Sequence, residues 1–98
     1  MNHVITHLTL SEPPEFLFKT VREEFIDKTY KHGLKRERSL FVDTYASEKQ
    51  SRRGFGKRTV YTFVIMARLM ADDGYRFFHA ETGEWLIDEV PAKYLRFK

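Results

Sequence analysis

The sequence predicts an α+β domain, a mainly antiparallel sheet with one main helix. Two patterns at opposite ends of a helical stretch carry that expectation. Residues 3–10 alternate in the manner of a strand, and Thr59 to Ile65 is a run of β-branched and aromatic residues. Between them, Phe18, Val21, Phe25 and Ile26 recur at helical spacing before Gly33. The expected order is β-α-β-(α)-β-β-β, with the helix early and the strands late, as in α+β folds with an antiparallel sheet.

Each element has its own local reason. In the first strand, Leu8 and Leu10 share a face with Val4 and Thr6, and His7 and Thr9 share the other with Ile5. Pro13 and Pro14 end that strand, because proline cannot donate to a ladder. Ser11 is placed to cap a helix running from about Pro14 to His32, with Gly33 as its stop. Leu40-Phe41-Val42 reads as a short strand, and Tyr45 to Arg53 as a short exposed helix closed by Gly54-Phe55-Gly56. After the strand at 59–65, Ala67 to Met70 makes a helical turn stopped by Asp72-Asp73-Gly74. Tyr75–Ala80 and Glu84–Ile87 form a hairpin whose turn needs Gly83 at positive φ. Pro91 then redirects the chain before Tyr94-Leu95-Arg96-Phe97.

Composition narrows the function classes. With 98 residues the chain has room for a single domain, 1–98, and its core must lean on nine Phe, five Tyr and one Trp. The absence of cysteine removes disulfides, thiolate metal sites and cysteine nucleophiles together. The longest strongly apolar run, Phe63 to Met66, is far too short for a membrane helix, and the first residues do not read as a signal peptide. A soluble, cytoplasmic protein without a membrane partner is expected.

The net charge of +3 is unevenly spread. Residues 31–58 hold nine basic side chains against three acidic ones, so the rest of the chain is net acidic. A basic middle points to an anionic partner such as phosphate, nucleotide or RNA; a solvated basic face is the alternative. Lys49, Arg52, Arg53, Lys57 and Arg58 are the candidate nucleic-acid contacts, and Arg52-Arg53 suits a bidentate phosphate clamp. Phe41, Tyr45 and Phe55 lie among these cations where they could stack bases. No metal is expected, since His3, His7, His32 and His79 show no ligand spacing. Gly54-Phe55-Gly56-Lys57 lacks the dinucleotide and Walker patterns and precedes a strand, so it reads as a flexible basic loop. Asp72-Asp73 and Asp88-Glu89 read as solvated turn residues. His7, mid-strand beside Thr9, can bond either a ligand hydroxyl or a neighbouring carbonyl.

From residue 70 onward a longer pattern appears. Met70, Asp73-Gly74, Phe77-Phe78, Gly83-Glu84-Trp85-Leu86 and Val90-Pro91-Ala92-Lys93-Tyr94-Leu95 follow in an order and spacing that resembles the C-terminal stretch of the RNA 2′-phosphotransferase family. Upstream, Ile5-Thr6-His7-Leu8-Thr9 looks like that family's Leu-Tyr-His-Gly-Thr strand, and His32-Gly33-Leu34 like its Gly-Leu helix stop. Arg52-Arg53-Gly54 falls near its paired-arginine segment.

The resemblance implies an ADP-ribosyltransferase-like split sheet that grips NAD as a substrate, with RNA or another anionic acceptor. The family moves an RNA 2′-phosphate onto NAD and releases nicotinamide. Carried over, His7 contacts the nicotinamide ribose, Leu8 offers its backbone to the carboxamide and Thr9 supports the strand. Arg52 or Arg53 meets phosphate, so His7, Arg52 and Arg53 are the implied catalytic set. Two departures are plain: Leu8 replaces the glycine after the histidine, and Leu40–Asp43 holds no counterpart of a second histidine. The family's N-terminal RNA-binding lobe also has no match, so the chain corresponds to the NAD lobe, catalytic or degenerate. A non-enzymatic RNA-binding module built on residues 31–58 is the rival expectation.

Overall fold

A computed structural model gives the fold and describes residues 8–98. The strand expected at 3–10 is seen as β1 (Leu8–Leu10); His7 and the residues before it lie outside the described residues. The α+β class holds, with antiparallel pairing throughout the described strands.

The main departure from the sequence expectation lies between residues 14 and 32. The first part of that segment is a strand, β2 (Phe16–Arg22), followed by a 3₁₀ turn at Glu23–Phe25 and helix α1 (Ile26–His32). The spacing of Phe18 and Val21 fits a helix, but Leu17 and Val21 are buried on one face of a strand and Thr20 on the other. Seven consecutive residues of β2 pair with β5 (Val60–Met66), from Phe16 opposite Met66 to Arg22 opposite Val60. That ladder outweighs a helical preference that is worth only tenths of a kcal/mol per residue. Ser11 consequently caps no helix; its hydroxyl donates to the Thr9 carbonyl.

The expected stop at Gly33 is present, and its reason is local. Gly33 has φ 80° and ψ −171°, a region open essentially to glycine alone. A Cβ there would lie 2.2 Å from the Val90 carbonyl oxygen. This close approach lets β3 (Leu34–Lys35) pair with β8 (Glu89–Val90) directly after the helix.

The remaining elements follow the expectation with shifted ends. The strand placed at 40–42 is β4 (Val42–Thr44), and the short helix placed at 45–53 is α2 (Glu48–Ser51). Ser47 caps α2, its hydroxyl accepting the Gln50 amide at 3.1 Å. β5 leads into α3 (Ala67–Asp72), and the hairpin of β6 (Phe78–Ala80) and β7 (Trp85–Ile87) turns at Gly83 with φ 105°. A 3₁₀ turn after Pro91 feeds β9 (Leu95–Phe97).

Two sheets result. One has the order β1-β6-β7-β4 and the other β2-β5-β9. They meet where Phe18 and Tyr45 exchange backbone hydrogen bonds of 2.7 and 3.0 Å. The core gathers Leu17, Phe63 and Ile65 of the second sheet with Ile87, Val90 and Tyr94, and with Ala67 and Met70 of α3, all nearly inaccessible to solvent.

A basic cavity beside the sheet junction

A cavity of about 590 Å³ opens beside this junction, between β2, α1 and the segment from Gly33 to Asp43. That volume suits a small organic ligand. Its cations come from three stretches of chain: Lys19 and Arg22 from β2, Lys28 from α1, and Lys35, Arg36 and Arg38 from the segment after Gly33. Phe25, Phe41 and Phe55 supply aromatic surface, and His32 lies at the end of α1.

Lys19 is the one charged residue on the apolar face of β2, flanked by buried Leu17 and Val21 and opposite Phe63. Its ammonium donates to Asp43 Oδ1 at 3.0 Å, and the Tyr45 hydroxyl donates to Asp43 Oδ2 at 2.7 Å. Burial alone would raise the Asp43 pKa. The Lys19 charge and the bonds from Tyr45 and Lys19 prevail, and the carboxyl is held below its ordinary value. Burial, and then the bond to Asp43 and its charge, push the Tyr45 hydroxyl up, so it stays a donor at neutral pH.

A second polar group occupies the opposite face of β2. The Ser51 hydroxyl donates to the Glu48 carbonyl at 2.7 Å, which fixes where its single proton goes. Thr20, 2.7 Å away, must therefore donate to Ser51, and Thr62, 2.8 Å from Thr20, must donate to Thr20. Arg52 Nη1 closes the series by donating to Thr62 Oγ1 at 2.8 Å. Every proton in the chain runs one way. Among the described residues, no buried side-chain nitrogen or oxygen lacks a partner.

The sequence-derived candidates are thus dispersed. Leu8 and Thr9 lie on β1, at the far edge of the first sheet from β4, and neither lines the cavity. Arg52 is turned onto Thr62 and onto Glu48, 3.3 Å away, and Glu48 also holds Lys98 at 3.3 Å. Lys49, Arg53, Lys57 and Arg58 are exposed on α2 and the loop after it, outside the cavity wall. Of the aromatic residues named with them, Phe41 and Phe55 do reach the cavity. The sequence reading missed Lys19, Arg22, Lys28 and Asp43. A single lysine between Leu17 and Val21 was the available signal, hidden by the helical reading of that segment.

Among the described residues, no group of three or more histidines and carboxylates is placed to hold a metal ion. No described helix is long and apolar enough to cross a membrane.

Comparison with known proteins adds a relationship. No protein-family model matches the chain. It is, however, homologous to bacterial proteins described as probable RNA 2′-phosphotransferases. The one from Flavobacterium johnsoniae is 32% identical over 94 residues, which is 94% of this chain and 51% of that protein. The one from Rhodopirellula baltica is 32% identical, covering 93% of this chain and 50% of its own length. The Acaryochloris marina protein is 36% identical over 84% of this chain and 46% of its own. The chain therefore spans about half the length of the curated relatives it matches. The resemblance read from the sequence is borne out at that level.

Proposed function

We propose that this chain binds a phosphate-bearing nucleotide, NAD in the first instance, in the basic cavity, as the counterpart of one half of an RNA 2′-phosphotransferase. The observation that carries the reading is the lining of that cavity, where six cationic side chains share the wall with three phenyl rings. Cations meet the pyrophosphate, and rings flank the flat bases at its ends.

The order of elements supports a second register for the family's strand motif. The strand that enters the helix ending at Gly33-Leu34 is β2, not Ile5–Thr9. On that register Thr20 matches the closing threonine of Leu-Tyr-His-Gly-Thr, and Phe18 and Lys19 stand where the motif has histidine and glycine. A phenyl ring cannot hydrogen-bond a ribose, so this register favours binding without nicotinamide release. His7 is the other candidate for the histidine's role.

Titration of NAD into isotope-labelled protein tests the proposal. Amide shifts clustered on residues 19–22 and 33–43 are expected, with affinity unchanged in His7→Ala. Loss of binding in His7→Ala without loss of stability would return the site to the first strand. No shift at millimolar NAD would overturn the proposal.

A second reading has its own observation. Lys49, Arg52, Arg53, Lys57 and Arg58 are exposed along one continuous stretch, a surface suited to an RNA backbone. Binding there would fall steeply with salt and would survive blockage of the cavity.

A further inference from the structure

Two carboxylates stand among the cations of the cavity wall, Glu37 and Asp43. Glu37 is exposed and lies 3.7 Å from Lys28. Asp43 is more enclosed and is gripped from both sides, by Lys19 on one oxygen and Tyr45 on the other. A fixed carboxylate repels phosphate from its own part of the cavity. It also keeps acceptor capacity, since a carboxylate offers about four lone-pair sites and the two bonds seen here leave about half of them. The complement of such a group inside an otherwise cationic wall is a neutral donor on a ligand whose phosphates lie elsewhere.

We propose that Asp43 accepts hydrogen bonds from the ribose hydroxyls of the nucleotide held in this cavity, with Lys19 and Tyr45 fixing its orientation. The proposal rests on the nucleotide reading above and adds to it the part of the ligand that is recognised. Acidic side chains take ribose hydroxyls in the same way in other dinucleotide sites. The rival role is structural: the Lys19–Asp43 pair crosses from β2 to β4 and could serve only to fasten the two sheets.

The experiment measures the affinities of AMP and 2′,3′-dideoxy-AMP for the full chain and for Asp43→Asn, with NAD as reference and thermal melting alongside. The wild-type chain should bind AMP roughly tenfold or more tightly than the dideoxy compound, the size expected for hydrogen bonds to a charged group. In Asp43→Asn that preference should shrink to a few-fold at most, with dideoxy-AMP affinity little changed. Equal wild-type affinities for the two compounds would overturn the proposal and leave the nucleotide reading standing. Equal weakening of both ligands in Asp43→Asn, together with a lowered melting temperature, would assign the residue to the sheet junction instead. If neither compound nor NAD binds the wild-type chain, the nucleotide reading falls and this proposal falls with it.

Discussion

Lys19 and Thr20 are neighbours on one strand, yet the polar groups they anchor are built on opposite principles. Thr20 belongs to a buried series of hydroxyls, closed at its outer end by Arg52, in which each hydroxyl proton has one possible destination. Lys19 belongs to an ion pair that faces the cavity and is steadied by Tyr45, with side chains 21% and 49% exposed at Lys19 and Asp43. The first arrangement is closed, since its donors and acceptors match within the protein. The second is open, and its carboxylate has capacity to spare. Alternation along a strand puts the two within one residue of each other while keeping them on separate faces.

The contrast can be broken in order of size. Leu17→Ala, on the Lys19 face, sets the scale: a fully buried leucine should cost about 2–5 kcal/mol in urea unfolding. Thr20→Val comes next. It keeps the shape but leaves Ser51 without its donor and Thr62 without its acceptor, at about 1–3 kcal/mol. That loss should be insensitive to salt, because no charge is removed from the series itself.

Asp43→Asn should be milder at neutral pH, about 1 kcal/mol or less, because the ion pair it breaks is partly exposed. Its signature is in the pH dependence. The folded-state pKa of Asp43 lies below its unfolded value, so the stability it adds is present above the unfolded value and disappears as pH falls through the folded one. Urea midpoints followed downward from about pH 5 should fall less in Asp43→Asn than in wild type, where unfolded carboxyls titrate near ~3.9. Equal slopes would show that the pair with Lys19 contributes nothing to folding.

The smallest effect on stability belongs to the exposed cations. Lys49→Ala and Lys57→Ala should each stay within about 0.5 kcal/mol of wild type. If RNA binds this stretch, each should lower the salt slope of retention by about one unit, which separates the second reading from the first.

These differences also explain what the sequence could and could not disclose. Strand β5 and the β6–β7 hairpin were legible because β-branched runs and a positive-φ glycine are local signals. Gly33 was legible as a stop, although its reason, the approach of the Val90 carbonyl, is a tertiary one. β2 was misread because Phe18, Val21, Phe25 and Ile26 satisfy helical spacing by coincidence, and its true partner lies some forty residues on. The cavity followed β2 into obscurity. Half of its cations precede the basic run at 31–58, and the run itself divides, with Lys35, Arg36 and Arg38 facing the cavity and Arg52 turned to Thr62. Charge density along a chain locates a basic neighbourhood. It cannot say which of its members share a wall.

The two backbone bonds between Phe18 and Tyr45 carry a consequence for how the molecule moves. A ladder of seven residue pairs binds β2 to β5, while a single backbone bridge, beside the Lys19–Asp43 ion pair, joins β2 to the other sheet. Amide hydrogens at Phe18 and Tyr45 can therefore trade with solvent whenever that seam parts, whereas those along the ladder must await a larger opening. Lys19 follows Phe18 in the chain and Asp43 sits two residues before Tyr45. Exchange at these two amides should therefore slow if a nucleotide fills the neighbouring cavity, which amide exchange with and without NAD would check.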